Sequence, residues 1–505
     1  MLALAVRNTN KLIREKSKSE NVRLGRFFTK KDTARVMAEA IRLDGEKTAY
    51  TVLDPGAGTG ILSAAIVEHI CKNAPKCRQI FLTCYETDPE LFEVLEDNLE
   101  RIRKKCRHDY DVRLFATALR ENYLVDYKNH YAVTFFGAVE DKFDIIISNP
   151  PTELIDKGSP EAECAGGISM LKISAAYLFA KVAAAHLEVG GQLSVMLPTA
   201  FASASSLSSI RAALLPLKVR RIHLFVGNQK NKKRAIPLKK SIIVSYENSE
   251  EKKDILISTS LDSGSAEGIS YLPPLDYDFV VDSKDGSLTL PKSAEETRIV
   301  KFISSFPETL SSIGLKMSTG LVVDSKCKEL LSDTELPGSI PLFRQSVITL
   351  GGTLFPAPNT KKQYLIAENT ALFQRNKNLI IIKRIPAKSD ERFINSATYF
   401  AGQRPANQYI STHNKINFID TKNPKDEMST WLTFGLFALL NSTIYDRYVS
   451  IVSKSKQINS KEMKNLPLPP RGFIESIGSR LMDMRDMSVA ACDSVVNSAL
   501  HIRQK

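Results

Sequence analysis

The 505-residue sequence has few of the features that define several large protein classes. Its seven cysteines (Cys71, Cys77, Cys84, Cys106, Cys164, Cys327 and Cys492) form no CxxC pair. Their odd number suits neither a disulfide framework nor a thiolate zinc site. The seven histidines are scattered, none at metal-ligand spacing, so no metal is expected. There is one tryptophan, Trp431, inside an apolar stretch that reads as a buried helix face. No uncharged apolar run reaches the ~18 residues that a membrane span needs. The sequence also lacks GxSxG and GK[ST], which argues against a serine hydrolase elbow and an ATP phosphate loop. A cytoplasmic protein with no membrane partner is expected.

Hydrophobic residues make up 43% and charged residues 25% of the chain, the balance of a globular protein. Lysine plus arginine exceed aspartate plus glutamate by 69 to 56, a net charge of +13. Such a surplus suits a polyanionic partner. Residues 1–45 read as a helical segment interrupted by LGRFFTKKDTA. From 46 to 250, seven short apolar runs alternate with amphipathic stretches: 51–54, 79–86, 112–119, 143–148, 192–198, 219–226 and 240–247. This alternation predicts an α/β fold with a doubly wound, mostly parallel, seven-stranded sheet. Residues 251–289 carry turn residues and little periodicity, and they read as a linker. Residues 290–505 mix short strands, proline-rich loops and helices, which predicts a second domain of α+β character.

Two segments carry chemistry. The run TVLDPGAGTG passes from a strand through Asp54, Gly56 and Gly58 into a helix. Glycines allow a backbone to pass close beneath a ligand, and the absent GxGxxG spacing favours a small nucleoside without phosphates. The next strand ends in Glu86, placed to accept hydrogen bonds from ribose hydroxyls; an exposed glutamate before a helix cap is the plainer alternative. The strand FDIII leads into Ser148, Asn149, Pro150, Pro151 and Thr152. Two prolines fix the backbone there and withdraw two N–H donors. The Asn149 side-chain oxygen and the Pro150 carbonyl can then serve as paired acceptors for an exocyclic amine, aiming its lone pair at an electrophile.

The ordered set FFTKKDTA, LDPGAGTG, YETDP, ENYL and SNPPT resembles the motif series of the S-adenosylmethionine-dependent adenine-N6 DNA methyltransferases, and more narrowly their TaqI-like gamma group from restriction–modification systems. The resemblance covers about residues 20–250. It implies that Phe28 and Thr29 flank the methionine part of the cofactor, that Asp54, Gly56 and Gly58 line it, that Glu86 holds its ribose, and that Asn122 and Tyr123 bracket its adenine. Asn149, Pro150, Pro151 and Thr152 would form the catalytic loop. The family usually has an aromatic residue where this chain has Thr152, and a second one where it has Ile236; each lost stacking face weakens base binding by about 1–3 kcal/mol.

Chemistry on a base inside a duplex requires its extrusion, so basic side chains are expected to grip the phosphates. Candidates are Lys232, Lys233, Arg234, Lys239 and Lys240, then Arg344, Lys383 and Arg384. The expected partner is duplex DNA, with residues 290–505 as target-recognition domain, a cognate restriction endonuclease as a further partner, and a monomeric state. Two other readings stay open at this point: a catalytically weakened, methyltransferase-like DNA-binding subunit, and a methyltransferase acting on a protein amide or on RNA, whose substrates also present planar amines.

Overall fold

The computed structural model describes residues 1–15, 26, 28–126, 142–167, 170–227, 238–261, 268–349, 352–366, 370–386, 390, 392–453 and 457–501. The chain divides into two compact units, Met1–Asn228 with Ile236–Lys292, and Gln229–Ala235 with Ser293–Lys505.

The first unit is built on one large mixed sheet. Its strands are β1 (Ala49–Pro55), β2 (Gln79–Tyr85), β3 (Arg113–Leu119), β4 (Phe143–Ser148), β7 (Leu187–Pro198), β8 (Lys218–Val226), β9 (Leu238–Glu247), β10 (Leu256–Ser260) and β11 (Ser270–Tyr271); β5 (Leu154–Asp156) and β6 (Lys172–Ser174) form a separate hairpin. The spatial order is β11-β10-β8-β9-β7-β4-β1-β2-β3. Strands β3, β2, β1, β4 and β7 run parallel to one another, whereas β9 is antiparallel to both β7 and β8. The sheet's central strands are buried on both faces, as parallel sheets generally are. Successive side chains alternate between two cores: Val52, Ile145 and Ile147 join one, Leu53 and Ile146 the other.

Helices α1 (Leu2–Glu15), α2 (Lys31–Glu39), α3 (Ile61–Asn73) and α4 (Pro89–Tyr110) place Ala5, Met37, Ile66 and Leu95 in the first of these cores. After the short α5 (Pro160–Cys164), α6 (Ala175–Ala185) and α7 (Ser208–Leu214) supply Leu178 and Ile210 to the other. Local chemistry sets the ends. Asp88 caps α4 by accepting from the Glu90 and Leu91 amides, with Pro89 as first helical residue. Helix α1 is stitched to the same body: Asn8 Nδ2 donates to Asn98 Oδ1 at 2.8 Å, and the Thr9 and Thr59 hydroxyls meet at 2.6 Å.

Two expectations need correction. The sheet has nine strands rather than seven, and the stretch 251–289 is not a linker. Strand β10 pairs in parallel with β8 from Leu256 opposite Arg221 to Ser260 opposite Phe225. Leu275, Val280 and Val281 beyond it are buried in the core. The turn-rich residues between these anchors hide a strand only five residues long. The buried Arg211 pins the following loop, donating from Nε to the Asp285 carbonyl at 2.9 Å.

The second unit combines a four-stranded antiparallel sheet, in the order Leu315–Thr319, Ile416–Thr421, Leu379–Lys383 and Ser396–Tyr399, with a five-stranded sheet of very short strands. Phe343, Ile381, Tyr399, Ile410 and Phe418 form its core. Helices Thr430–Asn441 and Arg471–Met484 cross closely because Gly435 and Gly478 lack side chains. Among the described residues no helix is long and apolar enough to cross a membrane.

Candidate cofactor and amine site

The carboxyl ends of β1, β2 and β4 lie side by side in the sheet, and the loops leaving them bring the motif residues together. After Asp54 and Pro55 the chain turns through Gly56, Gly58 and Gly60 with φ of 110°, 56° and 81°, a region that strongly favours glycine. The Gly56 and Ala57 amides donate to the Tyr85 carbonyl at 3.0 and 2.8 Å, tying the turn to the end of β2. A Cβ on Gly56 would lie 3.4 Å from Phe179 Cε1 and 3.9 Å from Pro151 Cδ. The glycine turn therefore runs against the Asn149-Pro150-Pro151 loop.

Glu86 is held from both sides, one carboxylate oxygen accepting from the Gly58 amide at 2.8 Å and the other from the Asp88 amide at 2.8 Å. Burial raises its pKa. Asp54 is fully buried; its Oδ2 accepts from the Ser63 hydroxyl at 2.6 Å, while its Oδ1 has no partner among the described residues. Burial above all, with the Glu86 charge adding, pushes its carboxyl up to about 7. Two carboxyl groups beside a turn without lysine or arginine disfavour phosphate and suit a ligand rich in hydroxyl and amino donors. An adenosyl cofactor without phosphates has that chemistry, so the residues present fit S-adenosylmethionine.

At the end of β4, Asn149 is half-buried and Pro150 buried. Asn149 Nδ2 donates to Thr29 Oγ1 at 3.0 Å, while its Oδ1 has no partner among the described residues. Thr152 is exposed, and its carbonyl accepts from the Ser174 hydroxyl of β6 at 3.2 Å. The segment carrying Thr29 and the half-buried Phe28 is fastened by a residue the sequence did not single out. Buried Arg26 donates from Nε and Nη2 to Asp88 at 2.7 and 2.8 Å and from Nη1 to Glu90 at 2.9 Å. Neither partner is near it in sequence.

Asn122 and Tyr123 do not fit their expected place as an adenine bracket. Tyr123 is 2% exposed, its ring packed against Tyr85 and Phe179, and its hydroxyl lies 2.9 Å from His186 Nδ1. It is a core residue with no open stacking face. Asn122 caps its own turn through Oδ1, accepting from the Leu124 amide at 3.1 Å, and donates from Nδ2 to Glu161 at 3.1 Å. Glu161, from short α5, was also missed, and no motif surrounds it.

The basic candidates divide sharply. Lys232, Lys233 and Arg234, and the Lys239 side chain, lie outside the described residues, and Lys240 is exposed at the start of β9. In the second unit the three candidates already have partners within the unit. Arg344 pairs with Asp324 at 2.7 Å and donates from Nε to the Lys362 carbonyl at 2.7 Å. Lys383 pairs with Asp390 at 2.8 Å, and Arg384 donates to the Asn414 carbonyl at 3.1 Å.

Comparison with known proteins adds an independent line. The chain is 24% identical over 490 residues to the Type II methyltransferase M.PstI of Providencia stuartii, covering 95% of this chain and 93% of that one. It is 25% identical over 478 residues to the Type II methyltransferase M.BsuBI of Bacillus subtilis, covering 93% and 91%. The Type IIL restriction-modification enzyme MmeI, solved in complex with DNA, aligns over 97% of this chain and 76% of its own, at 12% identity and a TM-score of 0.49. The family model described as N-6 DNA Methylase matches residues 10–263, the stretch that contains the glycine turn, Glu86 and the Asn149 loop, and the chain belongs to that family.

Proposed function

We propose that this chain is a gamma-group, site-specific DNA methyltransferase that transfers a methyl group from S-adenosylmethionine to the N6 amine of an adenine extruded from duplex DNA. The observation that carries the reading is Asn149: its amide nitrogen is committed to Thr29, its oxygen is left to accept, and its loop lies against the Gly56 turn. When bound, the cofactor supplies a methyl group on a positively charged sulfur. Glu86 would hold its ribose hydroxyls, with Asp54, Gly56 and Gly58 beneath it. Asn149 Oδ1 and the Pro150 carbonyl would accept the two N–H bonds of the adenine amine, fixing its nitrogen and raising the availability of its lone pair without a strong base. Prolines at 150 and 151 keep competing N–H donors out of this loop.

The names of the two Type II relatives support a restriction–modification setting, with the second unit as target-recognition domain and a cognate restriction endonuclease as partner. The test is to incubate the protein with methyl-tritiated S-adenosylmethionine and mixed-sequence duplex DNA, then digest the DNA to nucleosides. Label should appear as N6-methyl-2′-deoxyadenosine. Unlabelled DNA from protein that binds the cofactor overturns the reading.

A further inference from the structure

We propose that Thr29, anchored through Arg26, is a positioning residue for Asn149, acting on the acceptor of the target amine. This rests on the methyl-transfer reading above. A side-chain carboxamide has two ends of nearly equal shape, of which only the oxygen accepts a hydrogen bond. Asn149 is useful to an amine only with its oxygen presented and its plane held still. Thr29 Oγ1 lies 3.0 Å from Asn149 Nδ2, so with an amine on Oδ1 both ends of the carboxamide are satisfied together. Donation from Nδ2 also polarises the group and strengthens Oδ1 as an acceptor.

Thr29 lies 120 residues from Asn149 in sequence and on no regular element, so something must hold it. Arg26 lies three residues away, within ~10 Å of chain. Its guanidinium side chain is 4% exposed and bridges Asp88 and Glu90, and Asp88 in turn donates its amide to Glu86. One brace thus links the turn assigned to the ribose with the acceptor assigned to the amine. A mere flank to the methionine would not require the bond from Asn149.

The test compares Thr29→Val, which keeps shape but loses the acceptor, with Thr29→Ala and Thr29→Ser. Single-turnover methyl transfer to duplex DNA is measured beside calorimetric S-adenosylmethionine affinity. Thr29→Val and Thr29→Ala should slow transfer about 10- to 100-fold, the scale of a small misplacement in a reacting complex, with cofactor affinity within about twofold of wild type. Thr29→Ser should recover most of the rate, and Arg26→Met should lower the rate in the same way. A rate within twofold of wild type in both Thr29→Val and Thr29→Ala overturns the proposal. So does a rate loss matched by an equal loss of cofactor affinity, which would return Thr29 to the cofactor, or a serine variant as slow as valine. A wild-type protein that methylates no adenine refutes the parent reading instead, which separates the two failures.

Discussion

Asp54 sets the residue-scale chemistry. Its carboxyl, ordinarily near 3.8, keeps its proton up to about 7 because burial disfavours the charge. Between those values the folded chain binds a proton that the unfolded chain has released. Its share of stability is therefore present below about pH 4 and lost as pH rises towards 7, by at most ~1.4 kcal/mol per pH unit. His223 opposes it. Buried and hydrogen-bonded to Ser258 and Ser260, it is lowered to about 4 from 6.5 by burial, so its penalty fades over pH 4 to 6.5. The wild-type curve sums both, whereas Asp54→Asn keeps only the histidine part. Urea denaturation at pH 4.5 and pH 7 should show Asp54→Asn gaining on wild type by more than about 1 kcal/mol as pH rises; a pH-independent difference contradicts the assignment. The same variant should bind S-adenosylmethionine more weakly, read by calorimetry.

Elements test the corrected boundary. Ile257 in β10 is fully buried, so Ile257→Ala should cost about 2–4 kcal/mol as a core cavity. A true linker position would change stability by less than about 0.5 kcal/mol. In the second unit, a Cβ on Gly478 would lie 1.9 Å from the Trp431 carbonyl oxygen, and one on Gly435 the same distance from that of Ile474. Gly478→Ala must push two helices apart, and a melting temperature lower by 5 °C or more is expected; an unchanged melt would mean the helices do not cross there. These elements also mark what sequence could tell. Seven strands of the large sheet were legible because each is a compact apolar run followed by a turn or helix signal, from TVLD at β1 to KSIIVSYE at β9. Strand β10 was not, because five residues between turn-rich neighbours give too little period. The two-residue strands of the second unit, such as Gln374–Arg375 and Tyr364–Leu365, lie below any periodicity signal.

At the scale of the whole molecule, the +13 charge remains the basis for a DNA partner. Binding to duplex DNA should weaken steeply with salt, log affinity falling by ~0.9 per phosphate contact per log unit of salt. A salt-independent affinity would remove that basis. Lys240→Ala should lower the slope by about one contact, whereas Arg344→Ala should lower the melting temperature by breaking the pair with Asp324 and leave the slope unchanged. The distinction explains why the loop after β4 stands out in the sequence and the state of each basic side chain does not. Asn149-Pro150-Pro151 carries its meaning in adjacent residues, and so does the glycine turn. Whether Arg344 or Lys383 is free depends on carboxylates brought by folding, Asp324 and Asp390, and no run of basic residues reveals that. Arg26 and Thr29 act through partners 62 and 120 residues away, a relation only the fold supplies.

The central claim concerns one carboxamide, and replacing it tests the claim most directly. Asn149→Ala should bind S-adenosylmethionine with wild-type affinity by calorimetry while its single-turnover transfer to adenine falls about 10²- to 10³-fold, the size of loss seen when a preorganised polar group at a reacting centre is removed. An Asn149→Ala protein that methylates adenine within tenfold of the wild-type rate would contradict the account.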